Sequence, residues 1–129
     1  MPSVQRQILI VDDEPSLLKM MSVYLGRLGY GVVTATNADE AMAAVAAEPG
    51  GFSVAVLDAT IAGSTLEDLA TQMLMVTPRL CVIAASGYPV DMSLLEAAAP
   101  GRVTFLHKPF PPEMLATAVR RMLGTQEEV

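Results

Sequence analysis

Polar groups able to do chemistry stand directly after four short apolar runs. Asp12, Asp13 and Glu14 follow Ile8 to Val11; Asp58 follows Val54 to Leu57; Ser86 and Gly87 follow Leu80 to Ala85; His107, Lys108 and Pro109 follow Val103 to Leu106. In chain order these ends are acidic, acidic, hydroxyl and basic. If the runs are neighbouring strands, the carboxylates of Asp12, Asp13 and Asp58 converge, and two such charges about 4 Å apart repel by roughly 4 kcal/mol at an effective dielectric of about 20. A cluster of that kind calls for a cation. Carboxylates without Cys or His ligands suit a hard, oxygen-seeking ion such as Mg2+, which keeps several waters and takes one or two protein carboxylates beside a phosphate. Lys108 adds a compact positive charge on a flexible stem. Together these groups can neutralise the equatorial oxygens of a transferring phosphoryl group while a carboxylate attacks in line.

Taken singly, each residue has an ordinary structural reading. An acidic tripeptide after a strand is often a solvated helix N-terminus, where negative charge is favoured. Asp58 fits an N-cap or an Asx-turn, Ser86 a turn hydroxyl and Lys108 a surface lysine. Their joint placement at strand ends is what favours chemistry. His107, the single histidine, is given no role. Cys81 is also alone, which excludes an internal disulfide and a multi-cysteine zinc site; within its apolar run it reads as a buried strand residue. The nine Met residues read as core filler rather than a metal-binding stripe.

The elements that must position these groups follow from periodicity. The four runs are rich in β-branched residues and alternate weakly, as expected of strands covered on both faces, and Gly31 to Ala35 is a fifth, weaker strand. After Pro15, well placed at a first helical position, Leu17, Leu18, Met21, Tyr24, Leu25 and Leu28 share one face until Gly29 stops the helix. Asn37 can cap a second helix with Glu40 in capping-box position, and Ala41, Met42 and Val45 supply its apolar side up to Pro49, Gly50 and Gly51. Leu66, Leu69, Met73 and Val76 mark a third helix, Asp91 to Ala98 a short fourth, and Leu115, Ala118, Val119 and Met122 a fifth beginning near Pro112. Five alternating units imply an α/β, doubly wound parallel sheet with helices on both faces. In such sheets the working site lies beyond the carboxyl ends of the strands, at the topological switch point.

The 129 residues fit one domain, and the chain is 52% hydrophobic without any apolar run near the length of a bilayer span. The apolar excess therefore belongs to a core. The first seven residues do not resemble a secretory signal, so a cytoplasmic location without membrane attachment is the expectation. A net charge of −6 is the wrong sign for a binder of the nucleic-acid backbone, so no direct nucleic-acid binding is expected.

The segments ILIVDDEP, VAVLDATIAG, VIAASGYP and FLHKPF resemble the receiver family of response regulators in two-component signalling, in the family's order and at its spacing, from Ile8 to about Leu123. The resemblance implies a single receiver domain over 1–129, with a core of about 8–123 and a short polar tail over 124–129. It implies a flavodoxin-like, five-stranded parallel sheet of order 2-1-3-4-5. Asp58 would be the phosphoacceptor, Asp13 a direct Mg2+ ligand, Asp12 an acid acting on the ion largely through water, and Thr60 the donor of a backbone carbonyl. Ser86 would be the switch hydroxyl, Lys108 the counter-charge, Phe105 the aromatic that becomes buried on switching, and Gly87 the residue that leaves room for the phosphoryl group. The peptide bond before Pro109 would be cis. A sensor histidine kinase or phosphotransfer protein would be the phosphodonor, and an effector or fused output domain the recipient of the signal, read from the face of the fourth helix, fifth strand and fifth helix. Ile61 and Ala62 depart from the usual Met-Pro and leave that loop less restrained by composition.

Three other readings stand beside this one. A phosphatase of the haloacid dehalogenase type also uses an aspartyl phosphate and Mg2+, but resembles a DxD pattern after the first strand, whereas Asp12 and Asp13 are adjacent. A flavodoxin-like cofactor carrier needs a small, hydroxyl-rich first loop, and acids stand there instead. A pseudo-receiver adaptor, acting by protein–protein interaction without phosphorylation, stays open as the alternative reading, although every reactive position is filled here. The chain thus reads as a phosphoswitch acting on its own aspartate, not as an enzyme turning over a free substrate.

Overall fold

Strands form where the β-branched runs lie: β1 Gln7–Val11, β2 Gly31–Ala35, β3 Phe52–Asp58, β4 Cys81–Ser86 and β5 Val103–His107. The computed structural model describes residues 5–127. Between the strands run α1 Pro15–Arg27, α2 Ala38–Ala47, α3 Leu66–Val76, α4 Ser93–Ala98 and α5 Pro112–Glu127. The strands pair in parallel in the order β2-β1-β3-β4-β5, the flavodoxin-like arrangement expected. The order reverses between β1 and β3, which places the ends of those two strands side by side: Val11 is opposite Leu57, and Asp58 is opposite Ala85 of β4.

Local chemistry sets the helix starts. Pro15 opens α1, where its missing N–H costs nothing. Asn37 Oδ1 accepts from the Glu40 amide at 2.8 Å, but the Glu40 carboxylate returns to the amide and hydroxyl of Thr36 rather than to Asn37, one residue short of the expected capping box. Thr65 caps α3 through the Asp68 amide. Asp91, expected as the first residue of α4, lies before it and accepts from the Ser93 amide at 2.9 Å. At the other terminus α5 continues to Glu127. Residues 124–127 of the expected tail are therefore helical, because a lone glycine costs a helix only about 1 kcal/mol; 128 and 129 lie outside the described residues.

The sheet separates two apolar clusters. Leu9, Val11, Leu57, Val82 and Ala84 face α2, α3 and α4 together with Leu69, Met73 and Leu95. Ile8, Ile10, Val56, Ile83 and Leu106 face α1 and α5 together with Met21, Leu25, Leu115 and Val119. Cys81 belongs to the second cluster, buried as expected, its thiol against the Met122 carbonyl. By the alternation of strand side chains, Ser86 and Phe105 share the face of the first cluster, and Asp58 shares the face of the second. The loop after β3 is tied down despite its composition. Ile61 is buried in the first cluster, its amide donates to the Asp58 carbonyl, and the Ala62 carbonyl accepts from the Ala38 amide at 3.0 Å. Gly63, at φ +97°, turns the chain there. Among the described residues no helix is long and apolar enough to cross a membrane.

Candidate functional site

At the carboxyl end of the sheet, Asp12 just beyond β1 and Asp58 at the end of β3 are buried, whereas Asp13 is exposed. Carboxylate oxygens of the three residues lie within 4.8 Å of one another. A set of three carboxylates with one open side fits a hard divalent cation such as Mg2+, which retains waters. The donor chemistry is all oxygen, and the single histidine, His107, stands exposed at the end of β5, its ring edge-on to Phe105 at 6.4 Å.

Lys108 joins the acids. Its ammonium donates to Asp12 Oδ2 at 2.7 Å and stands 3.6 Å from Asp58 Oδ1. Partial burial of the amine pulls its pKa down, but the hydrogen bond and charge of Asp12, with Asp58 behind it, outweigh that effect and hold the pKa above its ordinary value. The other oxygen of Asp12 accepts from the Glu14 amide at 2.9 Å, so both oxygens of this carboxylate are engaged.

Asp58 is held from one side by its own loop. The Thr60 amide donates to Oδ1 at 3.2 Å, and the Thr60 hydroxyl lies 3.2 Å from Oδ1 and 3.3 Å from Oδ2. Sequence reasoning assigned Thr60 only a backbone carbonyl and missed the hydroxyl. The signal was the Asp-x-Thr spacing, since a carboxylate readily accepts from groups two residues on.

Ser86, at the end of β4, is buried, and its oxygen accepts from the Tyr88 amide at 3.0 Å. Its hydroxyl is thus engaged with the following loop rather than with Asp58. A side chain at Gly87 would meet nothing within 4 Å. Phe105 is half-buried on the far side of the sheet, against the first apolar cluster, and is not brought into the acidic group. The Lys108–Pro109 bond is cis. Beside the acids a cleft of about 410 Å³ is lined by Glu14, Leu17, Gly87, Lys108, Pro109 and Phe110. A second cleft, of about 430 Å³, opens at the opposite end of the sheet between Arg6, Phe52, Thr77 and Arg79 and contains no carboxylate.

The match to known proteins agrees with this geometry. Residues 8–120 match the response regulator receiver domain, and the chain belongs to that family. The nitrogen assimilation regulatory protein NtrX of Azorhizobium caulinodans is 32% identical over 92% of this chain but only 26% of its own length. The alginate biosynthesis transcriptional regulatory protein AlgB of Pseudomonas aeruginosa is 28% identical over 95% of this chain and 27% of its own length. The chain therefore spans about a quarter of these two relatives. Among solved structures, a CheY-like receiver domain of Methanospirillum hungatei is 26% identical with a TM-score of 0.83, covering 97% of this chain and 98% of that one. The chemotaxis protein CheY4 of Vibrio cholerae is 26% identical with a TM-score of 0.80, covering 92% and 99%. The chain is a receiver domain of the two-component response regulator type, a signalling domain rather than a conventional enzyme.

Proposed function

We propose that this receiver accepts a phosphoryl group on Asp58 with the help of Mg2+ and passes the signal on by altered partner binding. The observation that carries this reading is a buried carboxylate at the end of β3 with Asp12 and Asp13 within 4.8 Å and the Lys108 ammonium at 3.6 Å. Asp13, Asp58 and the Thr60 backbone carbonyl would hold the ion, with Asp12 acting largely through water. When bound, Mg2+ supplies positive charge to the oxygens of the transferring phosphoryl group.

The rest falls to the chain's own residues. An oxygen of Asp58 attacks phosphorus; an O–P bond forms as the P–N bond to a phosphohistidine of a sensor kinase or phosphotransfer protein breaks. Lys108 is the counter-charge for the new phosphoryl oxygens. The open space beside Gly87 accommodates them. Ser86 turns its hydroxyl towards them, which costs the bond from the Tyr88 amide, and Phe105 moves further into the first apolar cluster. A surface built from α4, β5 and α5 then presents a different face to an effector or fused output domain, in the cytoplasm. A pseudo-receiver adaptor is disfavoured because the acids and the lysine are close together and the hydroxyl of Ser86 stands at the end of the neighbouring strand.

Incubation with acetyl phosphate and Mg2+ should add one phosphate to the protein by intact mass spectrometry, and chelation with EDTA should abolish the gain. Equal labelling with and without chelator would remove the metal from the scheme, and no labelling under any condition would favour the adaptor. For the switch, a hydrogen bond to a charged group is worth about 1.5–3 kcal/mol, so Ser86→Ala should remain phosphorylatable while propagating less. The check is NMR with beryllofluoride, a phosphoryl mimic: shift changes in the mutant should reach less far into α4 and β5. Changes as extensive as in wild type would show that this hydroxyl does not carry the switch.

A further inference from the structure

Positive charge gathers at the end of the sheet away from the acids. Three of the chain's eight Lys and Arg residues precede strands there: Arg6 before β1, Arg79 before β4 and Arg102 before β5. The cleft of about 430 Å³ at this end has Arg6, Phe52, Ser53, Thr77, Pro78 and Arg79 in its walls. Every polar side chain among them is a hydrogen-bond donor, and none is a carboxylate. Glu48, two residues before Gly50, lines a separate cleft with Gln7 and Phe52. Arg6, Ser53 and Arg79 already have partners within the chain, yet a guanidinium carries five N–H donors and keeps some to offer. Thr77 is buried, and its Oγ1 accepts from the Gly50 amide at 3.1 Å, so its own O–H remains a donor. Arg102 steadies the wall: its Nη1 donates to the Pro78 carbonyl at 2.7 Å and the Leu80 carbonyl at 2.9 Å, on either side of Arg79.

We propose that this cleft is a binding site for a small phosphate monoester, held without any covalent step. Guanidinium forks match phosphate oxygens in spacing and charge. The three terminal oxygens of a monoester are strong acceptors, which suits walls that add two hydroxyls to two guanidiniums. Phe52 and Pro78 meet the organic part of the ligand. A space of this size falls within the range of small-molecule pockets. The site is separate from the proposed acceptor, because β3 passes the cleft at Phe52 and Ser53 and delivers Asp58 at its other end. A bound monoester clasps the starts of β1 and β3 and the loop before β4, and it stabilises the folded chain by mass action.

The experiment is an amide NMR titration of the intact chain with phenyl phosphate, near neutral pH, where the monoester is mostly a dianion. Ionic strength is held constant, and EDTA keeps divalent cations from the acids at the other end of the sheet. Amides of Gly50, Ser53, Thr77 and Arg79 should shift saturably in wild type. Arg6→Gln and Arg79→Gln, each verified as folded by circular dichroism, should bind about three- to tenfold more weakly, because both guanidiniums keep some exposure to water. The double variant should show no saturation. Succinate, a dianion of carboxylates, should bind more weakly than phenyl phosphate. Equal binding of succinate would overturn the assignment to phosphate. Shifts confined to the surroundings of Lys108, shifts that grow without saturating, or an affinity unchanged in both single variants would overturn the site.

Discussion

Asp58→Asn should take up no phosphate from acetyl phosphate and Mg2+ while remaining folded. The substitution is nearly isosteric, and the retained side-chain oxygen can still accept from the Thr60 amide and hydroxyl, both within 3.3 Å of the present carboxylate. What is lost is the anionic oxygen, because a carboxamide is a far poorer nucleophile towards phosphorus. One negative charge also leaves a pocket that contains Asp12 and Asp13, so thermal unfolding should not move to lower temperature. Phosphate appearing in the mutant at wild-type level, by intact mass and then by peptide mapping, would place the acceptor on another residue. Asp13 would be the first to inspect, since it is exposed while both oxygens of Asp12 are engaged.

Leu57→Ala should lower the unfolding free energy by about 2–5 kcal/mol, the usual range for opening a cavity behind a buried leucine. Leu57 is fully buried, paired in register with Val11 on one side and Ala84 on the other, and it packs into the cluster under α2, α3 and α4. Its neighbours on the adjoining strands include small residues, so little side-chain mass is available to collapse into the void. A shift of the urea midpoint at unchanged slope is the measurement. A change below about 1 kcal/mol would mean that the strand end repacks freely. Because Asp58 is the next residue, the folded fraction of this variant also reports how far the acceptor depends on a firm strand end.

The strands and the acidic ends were legible because parallel strands covered on both faces leave a simple trace: a short β-branched run stopped by a polar group. Ile8 to Val11 before Asp12 and Val54 to Leu57 before Asp58 carry that trace plainly. Less of it attaches to groups whose role depends on which way a side chain turns. The Thr60 hydroxyl on Asp58 and the Ser86 oxygen under the Tyr88 amide are choices among rotamers, which residue type leaves open. At Ile61 and Ala62 composition shows only the lack of a proline, because the restraints there, the burial of Ile61 and a backbone bond from Ala38, come from across the fold. The end of α5 is hidden for a similar reason: polar residues past Gly124 prolong a helix whose apolar face is already anchored at Leu115, Val119 and Met122.

The sheet is a wall between two cores, and the proposed acceptor and the proposed switch stand on opposite sides of it. Side chains on the α1 and α5 side share few neighbours with those on the α3 and α4 side, so substitutions in the two layers should combine nearly additively. For a lineage of such domains this is a form of modularity. Residues such as Leu17 and Phe110 in one layer can then change towards one phosphodonor while Leu95 in the other changes towards another listener, so long as Asp58, Ser86, Phe105 and Lys108, which the proposed switch couples from one layer to the other, are kept along with the five strands.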